Sequence, residues 1–287
     1  MNILSFDIEE WFQVSNFEKY IKPEEWDSLE QRVNVGTDFF LDTLKKKNIK
    51  ATFFLVGWVA ERNEEMVAKI SADGHEIGIH GYMHKCITDQ TISEFEADIK
   101  KSIKVVSDIT GKQVKGYRAP SYTITPKTEW ALEVLHANGI EYDSSLYPTS
   151  FKSAYGFPNS PRYPFRFKNG LYEFPMSTFP TPFGNLPFAS GGYFRLAPYL
   201  FTKVLMKHYV SKGEMFTINI HQWEMDPGQK VIETRWYDNF RHYTNLKSNK
   251  GKFDKFTNDF DFTTFEDFIP KHDFPIVEIE DGHFKFN

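Results

Sequence analysis

The chain has one cysteine, Cys86, which excludes an intramolecular disulfide and a thiolate metal cluster. That thiol stands two residues after His84 with no activating partner evident, so it reads as an ordinary small side chain on a loop. No stretch approaches the about 18–20 apolar residues of a membrane span. No long basic run occurs and the formal charge is −5, so nothing in the sequence calls for a nucleic-acid partner. Acidic residues arrive early, at Asp7, Glu9 and Glu10, which does not fit a secretory leader; the expectation is a cytoplasmic protein. Internal repeats and flexible linkers are also missing.

The 287 residues suffice for one large α/β domain or two small ones. Hydrophobic residues at 40% and charged residues at 25% are the proportions of a folded globular chain. Aromatic content is high at 17%, with 29 Phe. Aromatics line sugar clefts, but a Phe-rich core is the simpler reading.

Short apolar runs alternate with stretches of helical period. Asn2–Ile8, Ala51–Val56, His75–His80, Val114–Tyr117, Ile140–Tyr142 and Met215–His221 read as buried strands. Val33–Lys47 reads as a helix with Val35, Phe39, Phe40, Thr43 and Leu44 on its apolar face. Glu64–Asp73, Thr91–Thr110 (with Ser93 as its cap), Pro126–Asn138 and Tyr199–Tyr209 are the other helices. Such alternation predicts a parallel sheet, open or closed into a barrel. Pro, Gly and aromatics recur from Pro148 to Pro198, an excursion on the rim, and residues 228–287 resist assignment.

The polar residues that interrupt these strands gather at strand ends: Asp7, Glu9 and Glu10, then His80, Arg118, Asp143 and His221. In a parallel barrel those ends share one face, where loops converge on a site. His80 and His84 are spaced to face one side of a helical turn; with a carboxylate from another strand they make a two-His-one-carboxylate set for zinc or a similar ion. Asp7 sits within an apolar strand, where a carboxylate must be paired or used, and Arg118 is its expected partner. Pro120 stiffens the loop after Arg118, which could offer the N–H of Ser121 or Tyr122 to an oxyanion. His221 ends its strand, where a general acid is preferred over a packed core residue.

Taken together, these residues resemble the polysaccharide deacetylase family, also called NodB-homology or carbohydrate esterase family four. The resemblance rests on Phe6-Asp7-Ile8-Glu9-Glu10, His80 to His84, Arg118 to Tyr122, Tyr142 to Tyr147 and Asn219-Ile220-His221, in the family's order over roughly residues 1–227. Gly191 to Arg195, the run from His221 to Pro227, and Phe240 to Tyr243 are similar to a branch found with exopolysaccharide export, which carries an extra C-terminal segment. The implied fold is a distorted (β/α)7 barrel with a decorated rim, residues 1–227 forming the barrel and 228–287 an extension packed on it. Here Ile8 separates the two acids of the first motif, so the metal carboxylate is Glu9 or Glu10; strand alternation favours Glu9.

The resemblance implies metal-assisted removal of N-acetyl groups from an N-acetylated sugar or polysaccharide. One divalent ion, most fittingly zinc, would sit on Glu9, His80 and His84; Asp7 would be the base, Arg118 its support and His221 the acid. Pro120, Ser121, Tyr122 and Trp223 would face the substrate, with Ile218, Ile220 or Trp223 around the acetyl methyl. Alternative readings are an allantoinase-like amidohydrolase, a deacetylase of a lipid-linked sugar, or an inactive carbohydrate-binding protein.

Overall fold

The computed structural model describes residues 1–149, 156–280 and 282–286. Residues 150–155 of the predicted rim excursion lie outside the described residues. The strands are β1 (Asn2–Ile8), β2 (Thr52–Leu55), β3 (Glu76–Ile79), β4 (Gly116–Tyr117), β5 (Tyr142–Asp143), β6 (Phe165–Phe167), β7 (Tyr172–Glu173), β8 (Thr178–Thr181), β9 (Gly184–Pro187), β10 (Thr217–His221), β11 (Phe262–Thr263), β12 (Ile276–Glu280) and β13 (His283–Phe286).

Seven of them, in the order β10-β1-β2-β3-β4-β5-β7, pair in parallel and form the wall of a distorted barrel. The seam is bridged just past β7, where the Ser177 hydroxyl accepts the Thr217 N–H at 2.9 Å. β6, β12 and β13 extend the sheet beyond β7, and β8 and β9 form a separate hairpin.

Period-two alternation on β1 decides what faces where. Ile3, Ser5 and Asp7 point into the barrel; Leu4, Phe6 and Ile8 point out to the helices. Phe6 stacks on Phe40 of the helix Val33–Lys47 at 4.0 Å and meets Phe253 of the helix Leu246–Asp259 at 6.0 Å. That first helix buries Val33, Gly36, Phe40, Leu41, Thr43 and Leu44 with Phe39 packed at the edge of the core; of the expected apolar face only Val35 is exposed. The helix Ile92–Thr110 is capped by Thr91, whose hydroxyl accepts the Glu94 N–H while Glu94 reaches back; Ser93 is not the cap.

The lower end of the barrel is filled by rings. Ile3, Phe54, Tyr142 and Phe174 meet Phe265 and Phe268 from the C-terminal segment, and Phe265 stacks on Tyr142 at 4.8 Å. Gly116 makes room for this layer, since a Cβ there would come within 2.1 Å of the Tyr142 ring. Glu76 anchors the turn Phe265–Phe268 by accepting the Phe265 N–H at 2.9 Å. β11 pairs with β1, so the C-terminal residues belong to the barrel wall and its plug as well as to the rim.

Candidate active site

Asp7 and Glu9 leave β1 on the same face, at the carboxyl end of the strand. Asp7 is held on both oxygens: Arg118 Nη1 donates to Oδ1 at 3.0 Å and Asn219 Nδ2 to Oδ2 at 2.6 Å. Arg118 is fully buried, and its remaining donors are spent on the Ser5 hydroxyl (2.8 Å), the Ser144 carbonyl (3.0 Å), the Ser144 hydroxyl (2.9 Å) and the Met176 sulfur (3.9 Å). The guanidinium also lies over the Phe54 ring at 4.3 Å, directly above the plug. Burial alone would raise the Asp7 pKa, but the positive neighbours His80, Arg118 and His221 prevail and hold it below the usual aspartate value. Asp7 is therefore an aimed, ionised carboxylate.

Glu9 faces a different set. His84 Nε2 lies 2.6 Å from its Oε2, and the Trp223 indole N–H donates to its Oε1 at 3.0 Å. Gln222 clamps the Glu9 backbone, giving its amide N–H to the Glu9 carbonyl and taking the Glu9 N–H at 3.3 Å. Burial pushes the Glu9 carboxyl up, yet contact with His84 outweighs it and holds the group far below the usual range. Glu10 turns away and accepts the N–H groups of Arg32 and Val33 at the start of the first helix.

His80 and His84 are brought together by a loop, not by the expected helical turn: Gly81 has φ +70 and His84 φ +50. The His80 ring meets the Arg118 carbonyl at 2.8 Å through Nδ1. A carbonyl only accepts, so that nitrogen carries the proton and Nε2 presents its lone pair. Burial drops the His80 pKa to about 4, whereas contact with Glu9 overcomes burial and raises that of His84. One ligand atom each from Glu9, His80 and His84 lie within 4.8 Å of one another, two imidazoles and a carboxylate that fit a small divalent ion such as zinc.

His221, at the end of β10, stands 3.9 Å from both Asp7 and Glu9 through Nε2. Its other nitrogen meets Glu224 at 3.2 Å, and Glu224 is fixed in turn by Arg195 at 2.9 Å. Burial pulls the imidazole pKa down, but the bond to Glu224 and the charges of Glu9 and Asp7 raise it to about 9. Gly191 is required beside this pair, because a Cβ there would fall 1.7 Å from Glu224 Oε2. Trp223 stacks in parallel on His242 at 4.2 Å, so a C-terminal helix backs the residue that holds Glu9.

Beyond Arg118, Pro120, Ser121 and Tyr122 form a tight turn with Ser121 and Tyr122 both at φ +55. Such left-handed backbone in residues other than glycine costs energy and clusters at functional sites. The Tyr122 N–H is given to the Ala119 carbonyl at 3.0 Å, and its hydroxyl accepts from Asn219 at 3.0 Å. Asp7, Glu9, His80, His84, Tyr122 and His221 open onto one cleft of about 670 Å³, which Trp223 also lines.

Two further expectations fail. Ile218 and Ile220 cannot surround an acetyl methyl: Asn219 points into the barrel, so its neighbours point into the outer core, where both are fully buried. Asp143, at a strand end, does not reach the cleft; it accepts the Ser145 hydroxyl within the wall. Sequence reading gave no role to Ser5, Ser144, Arg195, Asn219 or Glu224, although all but Ser5 fall within the runs that carry the resemblance. Alternation on β1 signals Ser5, which shares the inward face with Asp7.

Residues 26–142 match the polysaccharide deacetylase family, and residues 144–270 match a domain of unknown function (DUF3473). A peptidoglycan deacetylase of Helicobacter pylori is 35% identical over 121 residues, covering 42% of this chain and 40% of that protein. A peptidoglycan-N-acetylglucosamine deacetylase of Bacillus cereus is 36% identical over 98 residues, 34% of this chain and 36% of that one. The chain thus spans well under half the length of these relatives. A putative polysaccharide deacetylase from Mycobacterium smegmatis shares the fold, with TM-score 0.61 at 17% identity over 94% of this chain and 88% of that one.

Proposed function

We propose, from the match of residues 26–142 to the polysaccharide deacetylase family, that the chain hydrolyses N-acetyl groups of an N-acetylated sugar or polysaccharide. One observation carries the reading: a two-His-one-carboxylate set, an arginine-held aspartate and a carboxylate-backed histidine all open onto one cleft.

Glu9, His80 and His84 would hold one divalent ion, most fittingly zinc. Such an ion supplies Lewis acidity, polarising the acetyl carbonyl and making water a better nucleophile at neutral pH. Asp7 takes the proton of the attacking water, and its low pKa keeps it ionised for that task. Arg118 and Asn219 fix both its oxygens, so the base does not rotate away from the water. Ser121 offers its N–H to the developing oxyanion. His221, kept protonated by Glu224, gives a proton to the departing nitrogen, without which an amine is a very poor leaving group. The likeness of Gly191 to Arg195 and Phe240 to Tyr243 to the exopolysaccharide-associated branch supports a polymeric substrate.

The test pairs metal analysis of purified protein with acetate release from N-acetylated sugars. One divalent ion per chain and metal-dependent acetate release are expected. A His80→Ala/His84→Ala protein that keeps its full metal content would overturn the ligand assignment.

A further inference from the structure

The helix Trp236–Tyr243 is built inside out. A surface helix ordinarily buries its aromatics and shows its polar residues. Here Asp238 and His242 are buried, while Trp236 is 80%, Phe240 54% and Tyr237 39% exposed. The polar residues anchor the helix: Asp238 accepts the Tyr20 hydroxyl at 3.2 Å, and His242 bonds to Gln229 at 2.6 Å while stacking on Trp223. Three aromatic side chains held out in water on an anchored helix mark a binding face.

Its position says what it binds. Arg241 lines the catalytic cleft and lies four residues after Tyr237, so the two share one row of the helix. The Arg241 guanidinium makes no ion pair with a described residue, which leaves it free to meet hydroxyl groups. From Arg241 back to Trp236 the helix rises about 7.5 Å, roughly the reach of one or two pyranose rings. A pyranose has an apolar C–H face that stacks on an aromatic ring and a rim of hydroxyls for an arginine.

We propose that Trp236, Tyr237 and Phe240, continued into the cleft by Arg241, form a saccharide platform that holds the neighbouring units of a chain whose N-acetyl sugar occupies the cleft. The inference rests on the sugar-deacetylase reading and deepens it: the enzyme works within a chain and not on a free monosaccharide. The helix carries no lysine and no aliphatic side chain, which favours a glycan over a lipid surface.

Calorimetry would measure binding of β-1,4-linked N-acetylglucosamine, as monomer and as longer oligomers, to zinc-loaded Asp7→Asn protein, which holds substrate without turning it over. Affinity is expected to rise with chain length, and adding Trp236→Ala, Tyr237→Ala and Phe240→Ala should remove about tenfold of that gain. In the Asp7 background of the natural sequence, the same triple substitution should leave aryl acetate hydrolysis unchanged. Trp236→Ala alone should show a partial loss, and serves if the triple variant folds poorly. Affinity that does not grow with length, absence of binding included, overturns the platform. So does a triple variant that keeps full oligomer affinity, or one that loses only binding to phosphatidylglycerol vesicles. The deacetylase reading is judged separately, by acetate release from the natural sequence; length-dependent binding without acetate would sink that reading and leave the platform standing.

Discussion

Two carboxylates two residues apart on one strand face have opposite surroundings, and single substitutions should separate them. Asp7→Asn keeps the shape that Arg118 and Asn219 hold but cannot take a proton; metal content should persist while turnover falls by roughly 10²–10⁴-fold. Glu9→Gln weakens a ligand set made with His80 and His84, so metal should be lost first, read as zinc per chain after dialysis. An empty site in Asp7→Asn beside a full one in Glu9→Gln would reverse these roles. The same pair predicts the pH profile. Asp7 is ionised below its ordinary value, so it does not set the acid limb; protonation of His84, whose pKa is raised, competes with metal there. As the proposed acid, His221 must be protonated to act, so activity should fall as pH rises through its pKa. A cation on Glu9 offsets part of the elevation, placing that limb between 6.5 and about 9. Glu224→Gln removes the largest favourable partner of the imidazolium and should move the limb to lower pH, whereas a limb unmoved by this change would deny Glu224 its part. His221→Ala should cost roughly 10²–10⁴-fold on amides and far less on aryl acetates, whose leaving groups depart without a proton.

At the scale of elements, the turn Phe265–Phe268 decides whether the barrel has a floor. Phe265 is fully buried against Tyr142, Phe54 and Phe174, and Phe265→Ala should destabilise by about 3–5 kcal/mol, read as a shift in the denaturant midpoint at unchanged slope. A shift below about 1 kcal/mol would mean that the layer collapses without loss. This turn also shows what the sequence could and could not disclose. Strands β1, β2 and β10 were legible because each is a run of alternating or continuous apolar residues, and β1 placed Asp7 and Glu9 on one face through its period alone. The segment from Phe262 to Phe268 carries no such period, since its burial comes from residues as distant as Ile3 and Phe54. His80 and His84 were found by spacing, yet their convergence depends on left-handed backbone at Gly81 and His84, which a spacing rule mistakes for a helix. Glu224 and Arg195 were hidden for the same reason: their pairing joins a turn after β10 to the end of a short helix, Gly191–Leu196.

For the whole molecule, the question is whether the last sixty or so residues ornament the barrel or complete it. Residues 228–287 supply Phe253, which packs on Phe40 at 5.0 Å; β11, which pairs with β1; the plug at the floor; and His242 behind Trp223. Each such aromatic contributes about 3–5 kcal/mol on removal, against a total stability of about 5–15 kcal/mol for a domain. Loss of three or four together therefore exceeds what the remainder holds in reserve. A chain ending at Pro227 should fail to reach a cooperative fold, showing no sharp thermal transition and weak near-ultraviolet circular dichroism, although it keeps Asp7, Glu9, His80, His84, Arg118 and His221. It should also fail to hold the proposed divalent ion, because Trp223 loses the ring that fixes it against Glu9. A shortened chain that melts cooperatively within a few degrees of the full one would show the opposite: that the barrel stands without its floor and that the C-terminal segment serves the rim alone.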